Sequence, residues 1–293
     1  MFKGLRNRSR RIASTAAVPE ALETRVLLSN VSVTFKNGDL TLTGDSGDNT
    51  VSITPNGMGG IAVRGENGTT IEGSSDPLPI DALTIPDDVK LLFSQGGNNV
   101  VFLGAPVGDA VTFKGGKGDD SFAIADTTVG GNVNVKTSDG ADIFGVIDAS
   151  IGGSFKANLG NGADKGGFED TVVTRNVGIN SGNDNDDIGI LNGSVGGNTT
   201  IKTGNGDDGV YVSGTTFSGR ASLNMGQGND DAAAQANFGG KVSVNGGGGF
   251  DNGTAAGTFS SEPKVKGFEA FFPEDRSGAL QSAVLDEFDL WLN

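Results

Sequence analysis

Apolar and polar positions alternate in short runs along most of the chain, and the runs recur every 22 residues. One apolar column reads Val111, Val133, Phe155, Val177, Thr199, Ala221 and Val242. Two residues further on, a second reads Phe113, Val135, Ala157, Ile179, Ile201, Leu223 and Val244. Alternation with a period of two marks a strand with one face buried. A second short strand follows a loop, with Phe122, Phe144, Ile188 and Val210 in one column and Ile124, Val146, Phe168, Ile190 and Val212 beside them. A corner column, Val129, Ile151, Val173, Val195, Phe217 and Phe238, is usually followed by Gly-Gly, as in "VGGNV" and "IGGSF". No such unit can bury its apolar side alone, but stacked units make continuous parallel ladders around one core. The pattern therefore predicts an all-β, single-stranded parallel β-solenoid (β-helix) with about 22 residues per coil. Helical repeats would need 3.6-residue periodicity in runs free of glycine, which neither strand segment offers.

The repeat divides the chain. The 22-residue units occupy 94–262, with "SQGGNNVVFLG" placing Asn98 one period before Asp120. Ahead of them, 31–93 reads as an N-terminal β cap with the first coils, beginning with a hairpin at Asn37-Gly38, the dipeptide suited to a two-residue turn. Such a hairpin would cover the first open sheet edge. Behind them, 263–293 reads as a C-terminal cap, with Leu280, Val284, Leu285, Phe288 and Leu292 at the spacing of an amphipathic helix.

Composition narrows the chemistry. The 293 residues include 50 glycines but neither cysteine nor histidine, so thiolates, disulfides and imidazole bases or ligands are all missing. Chemistry must rest on Asp, Glu, Lys, Arg, Ser, Thr or the single Tyr211. A net charge of −15 disfavours nucleic acid and anionic membranes as partners and favours cations. No apolar run is long enough for a spanning helix.

Residues 1–30 carry six basic side chains against two glutamates, giving this segment +4 and the remainder −19. Within it, "ALETRVLLS" (21–29) resembles the Leu-Glu-Pro-Arg-x-Leu-Leu-Ser motif near the start of many exported, repeat-bearing planctomycete proteins, with Thr24 in place of Pro. That resemblance implies an export segment and an extracellular or cell-surface location. The plain alternative is a basic amphipathic lead-in.

One loop of every unit is acidic. "GKGDD", "GNGAD", "GNGDD", "GQGND" and "GGGFD", with the looser "SDGAD" and "GNDND", end on Asp120, Asp142, Asp164, Asp186, Asp208, Asp230 and Asp251, spaced by 22 residues except for a final 21. The loops resemble the calcium-binding repeat of hemolysin-type (RTX) β-rolls, Gly-Gly-x-Gly-x-Asp-x-U-x with U a large apolar residue. "GGKGDDSFA" (115–123) fits throughout, whereas the first glycine is replaced by Thr137, Leu159, Ser181, Thr203 or Met225 in most other units. The resemblance implies calcium held by these seven aspartates and by backbone carbonyls. Repulsion supports some neutralising partner: carboxylates ~4.8 Å apart repel by about 0.9 kcal/mol per pair at water's dielectric and about 3.5 kcal/mol at an effective value of 20. The competing reading is that each Asp only closes a turn by accepting backbone N–H bonds.

Three functions follow. The first is a non-catalytic, exported, calcium-stabilised solenoid with a structural or adhesive role toward extracellular polysaccharide or matrix. The second is a polysaccharide lyase or hydrolase built around Lys165, Glu169, Asp170 and Arg175, with Asp170 in line with Asp126 and Asp148; long loops and aromatic sugar platforms are missing, and Tyr211 is the one aromatic on the outward side of the second strand. The third is binding along a flat face, for which the column Thr112, Asn134, Lys156, Gly178, Thr200, Ser222 and Ser243 is too mixed to make a threonine ladder.

Overall fold

In a computed structural model the chain is described over residues 29–80 and 87–272. It opens with seven strands: β1 (Asn30–Lys36), β2 (Asp39–Gly44), β3 (Thr50–Pro55), β4 (Ile61–Glu66), β5 (Thr70–Ile71), β6 (Leu78–Ile80) and β7 (Val89–Leu92). β1 and β2 form the hairpin expected at Asn37-Gly38; both turn residues have positive φ (54° and 91°), as a two-residue primed turn requires. β2 pairs in parallel with β7, and β1 lies beyond β2 at that end of the sheet.

From β7 onward the chain winds as a parallel β-solenoid of about eight turns with some 22 residues each. Every turn gives one strand to each of two sheets. The first sheet runs through Val111–Lys114, Val133–Lys136, Phe155–Asn161 and their successors to Lys264–Lys266. The second runs through Asn99–Leu103, Ser121–Ala125, Ile143–Ile147 and their successors to Ala270–Phe272. Two-residue corner strands such as Thr128–Val129 and Ser150–Ile151 pair with one another in the same register. Partners lie 22 residues apart, as in Val111 with Val133 and Val133 with Phe155. The spacing drops to 21 at an irregularity between Ser213 and Thr216 and stays there where Ala221 meets Val242.

The columns read from the sequence form the core. Val111, Phe113, Phe122, Ile124, Val129 and their equivalents are buried in one cluster. Phenylalanines stack through it: Phe113 on Phe122 at 5.0 Å, Phe155 edge-on to Phe168 at 4.7 Å, and Phe217 on Phe238 at 5.2 Å. Gly166, where the column elsewhere carries a large side chain, leaves room for the ring of Phe144; a Cβ there would stand 2.0 Å from it. In the last coils alanines replace these rings, and an apolar cavity of about 70 Å³ opens among residues including Ala232, Ala234, Val244 and Phe259.

Two expectations need correction. The described residues contain no helix, and the amphipathic helix expected near the C-terminus has no support: residues 277–293 lie outside the described residues, while 264–266 and 270–272 continue the parallel ladders as strands. Tyr211 is not a solvent-facing aromatic platform. It is 2% exposed and clusters with Leu191 and Ala233.

Candidate functional site

The acidic loops stack in register, and their last residues point inward. Asp120, Asp142, Asp164, Asp186, Asp208, Asp230 and Asp251 form one column, none more than 2% exposed. The joints between rungs are alike. The backbone N–H of Asp120 donates to Oδ1 of Asp142 (2.8 Å), that of Asp142 to Asp164 (2.8 Å), Asp164 to Asp186 (2.9 Å), Asp186 to Asp208 (2.9 Å), Asp208 to Asp230 (2.9 Å) and Asp230 to Asp251 (3.0 Å). Each aspartate thus satisfies a donor of the coil before it, not of its own turn. Turn closure as expected from the sequence therefore becomes closure between coils.

The column extends at both ends. Asn98 donates its N–H to Oδ1 of Asp120 (2.9 Å) and accepts the N–H of Asn49 on its own Oδ1 (3.3 Å). At the far end the N–H of Asp251 donates to Oε2 of Glu269 (2.7 Å). Asn49 and Glu269 escape a search at 22-residue spacing, because β3 to β7 intervene between Asn49 and Asn98 and the last loop is shorter. The only cue to Asn49 in the sequence is the Gly-Asp-Asn triplet before a strand.

The second oxygens set the electrostatics. Oδ2 of all seven aspartates is buried and has no hydrogen-bond partner. What faces them is the side chain five positions earlier, the site of the missing motif glycine. A Cβ on Gly115 would fall 2.0 Å from Oδ2 of Asp120, and one on Gly246 would fall 2.4 Å from Oδ2 of Asp251. The register puts Leu159, Ser181, Thr203 and Met225 in the same column, all buried. The hydroxyls of Thr137 and Thr203 give their protons to the carbonyls of Leu159 (2.8 Å) and Met225 (2.7 Å) in the next coil.

Burial is accordingly the largest influence on the carboxyls from Asp120 to Asp230, and it raises their pKa values. It pushes Asp164, whose neighbour is Leu159, up to about 8, against the N–H of Asp142, which lowers it. Asp186 rises to about 7, with the N–H of Asp164 and then Ser181 opposing. Asp142 and Asp230 rise to about 6. Asp120 and Asp208 are also raised, with burial again the main cause.

This donor set does not make a calcium cage. Hard cations take six to eight oxygen ligands around one point, whereas among the described residues no group of three or more carboxylates converges on a common centre. Apolar Leu159 and Met225 also stand where the resemblance would place a backbone-only glycine.

Of the residues weighed for catalysis, Lys165 directly follows Asp164 and donates its backbone N–H to the carbonyl of Asp142 (2.8 Å), and the carboxylates lie away from the column. Asp126, Asp148 and Asp170 share an exposed corner in the left-handed conformation (φ 51°, 48° and 47°). An open groove there is lined by these three with Thr127, Thr128, Ala149 and Ser150. Lys165 and Glu169 are half-buried on the intervening strand, and Arg175 is exposed beyond the next corner. Lys165, Glu169 and Arg175 are not among the residues that line this groove.

The outer side of the first sheet is flat and polar. Lys114 and Lys136 pair in register with Asn158 and then Asn180, whose side-chain amide donates to Asn158 (2.8 Å). Lys156 and Lys202 stand exposed on the same surface. A parallel amide ladder runs along its edge, from Asn205 to Asn183 (2.6 Å), Asn183 to Asn161 (2.6 Å) and Asn161 to Asp139 (2.8 Å). No protein-family model, curated protein or solved structure matches the chain.

Proposed function

We propose that the chain is a non-catalytic structural solenoid acting at the cell surface, with the flat outer face of its first sheet contacting extracellular polysaccharide or matrix. The observation that carries this reading is the regular register from Asn98 to Asp208, and on to Asp230 with one single-residue shift between Ser213 and Thr216: each coil adds one rung to every ladder, with no inserted loop to build a cleft. A rigid stack of this kind repeats one surface at a fixed spacing, which suits a polymeric partner with its own repeat. Exposed lysines 114, 136, 156 and 202 on an otherwise acidic molecule favour an anionic polymer, and the amide rows supply uncharged donors and acceptors between them. The export-like motif at 21–29 agrees with that location.

The test is co-sedimentation with a panel of neutral and acidic polysaccharides, together with an assay for chain cleavage. Binding to acidic members that weakens with salt, is lost in Lys114→Glu/Lys136→Glu and leaves the polymer uncut is the expected outcome. Cleavage lost in Asp170→Ala would overturn the non-catalytic reading. Binding unchanged in the double lysine variant would overturn the assignment of the face.

A further inference from the structure

The two asparagines in the buried column show what its aspartates lack. Nδ2 of Asn49 donates to the carbonyl of Gly47, two residues earlier (2.7 Å), and to Oδ1 of Asn98 on the next rung (3.0 Å). Nδ2 of Asn98 repeats the arrangement, donating to the carbonyl of Gly96 (2.9 Å) and to Oδ1 of Asp120 (2.8 Å), with the carbonyl of Gln95 at 3.1 Å. In both rungs the inward atom is a donor among acceptors. From Asn98 to Asp251 Oδ1 does the same work in every rung, accepting the N–H of the preceding coil. The planar carboxyl group therefore sets Oδ2 of each aspartate on the side where Asn98 carries its amide nitrogen. Ionised, Oδ2 is a buried acceptor that no donor meets in hydrogen-bond geometry, and the hydroxyls of Thr137 and Thr203 beside Asp142 and Asp208 are already given to carbonyls of the next coil. A carboxylic acid has nearly the shape of a primary amide and can donate one hydrogen bond from that position.

We propose that the column from Asp120 to Asp230 is a row of proton-binding sites: in the folded chain its carboxyls carry a proton on Oδ2, which does there what the amide of Asn98 does in its own rung. The reaction is simple proton binding, with no bond between heavy atoms made or broken. The charges around the column oppose ionisation further. Asp119 faces Asp120 and Asp142; Asp184 faces Asp164 and Asp186; Asp187 and Asp207 face Asp208; and Asp207 also faces Asp230. At the C-terminal end Glu269 meets the N–H of Asp251. The uncharged hydroxyls of Thr137, Ser181 and Thr203 work the other way, favouring ionised Asp142, Asp186 and Asp208 less strongly than burial opposes it, and nearby Lys117 is exposed and paired with Asp139 at 3.3 Å.

The consequence is a stability that falls as pH rises. An unfolded aspartate ionises near 3.8, while the folded ones hold their protons to about 6 (Asp142, Asp230), 7 (Asp186) and 8 (Asp164). Between those limits the native chain binds more protons than the unfolded chain. The stabilisation is complete below about pH 4 and is lost as pH climbs toward about 8. Each carboxyl in its window lowers the folding constant roughly tenfold per pH unit.

The experiment is thermal unfolding of the full chain from pH 4 to 9, for wild type, Asp164→Asn and the pair Asp164→Asn/Asp186→Asn, each with chelator and with millimolar calcium. The expected result has four parts. The wild-type melting temperature declines with pH, the asparagine variants decline less, the variants melt above wild type at pH 8, and calcium makes no difference. Infrared spectra of wild type at pH 7 should also show a protonated carboxylic-acid band, which requires no variant to fold. Loss of that band, a melting temperature independent of pH, or asparagine variants less stable than wild type at pH 8 would each overturn the proposal. A calcium-dependent rise in the wild type at pH 8, abolished by the substitutions, would overturn it in favour of a metal-bridged column. None of these outcomes bears on polysaccharide binding by the outer face, which stands or falls on its own assay.

Discussion

Asn98 and Asp120 occupy successive rungs of one buried column and differ by a single group, an amide against a carboxyl. The amide spends its protons on the carbonyl of Gly96 and on Oδ1 of Asp120, whereas the carboxyl keeps one oxygen unpartnered. Reversing that difference is informative. Asn98→Asp removes the amide donor and buries another acid, so at pH 8 it should destabilise the chain by about 1–3 kcal/mol, the range for leaving a buried polar group unsatisfied. At pH 4, where the new side chain is protonated, the loss should shrink, and denaturant titrations at the two pH values measure the difference. The residue type at each rung was plain in the sequence; the direction of its side chain was not. An Asp after Gly-x-Gly can point out toward solvent and ions or in toward the core, and spacing alone does not separate the two.

At the scale of the element, the acidic loops set how closely one coil can approach the next. Gly182 has φ +126°, and a Cβ there would stand 1.8 Å from the carbonyl oxygen of Gly160 in the coil before. Gly182→Ala should therefore cost on the order of 1–3 kcal/mol through the backbone alone, beyond what the clash adds. Gly178, on the outer face of the same coil, has open space around its Cβ position. Gly178→Ala should leave the melting temperature nearly unchanged, and the two variants melted side by side check the contrast. Strand positions and their buried faces were legible because period-two alternation survives in short strands. Tyr211 was misread because alternation says which face a residue occupies but not what covers that face.

For the whole molecule, regularity makes a coil a removable unit. Deleting Asp187–Asp208 takes out one 22-residue period and joins Asp186 to Gly209, the partner of Asp187 in the ladder. The shortened chain should keep a cooperative unfolding transition and a parallel-sheet circular dichroism spectrum. Deleting 187–197 instead removes half a period, puts apolar columns out of line and should abolish the folded state. The stack also separates these loops from the calcium-binding β-roll repeat they resemble, at the first motif position. Where that motif has a bare glycine, this chain sets a buried Leu159 or Met225 in two coils and a buried Thr137, Ser181 or Thr203 in three others, so the Gly-x-Gly-x-Asp turn delivers its acid into a nearly dry interior.

The sequence by itself determined the coil length, the parallel stacking, the core columns and the membership of the aspartate row from Asp120 to Asp251. All of these follow from side-chain periodicity, which a repeating chain states many times over. Only the tertiary structure decided that the row faces inward, that its bonds run between coils, and that Asn49 and Glu269 belong to it. Those facts depend on which atoms meet across a 4.8 Å step, and residues one coil or more apart meet there only once the chain has wound.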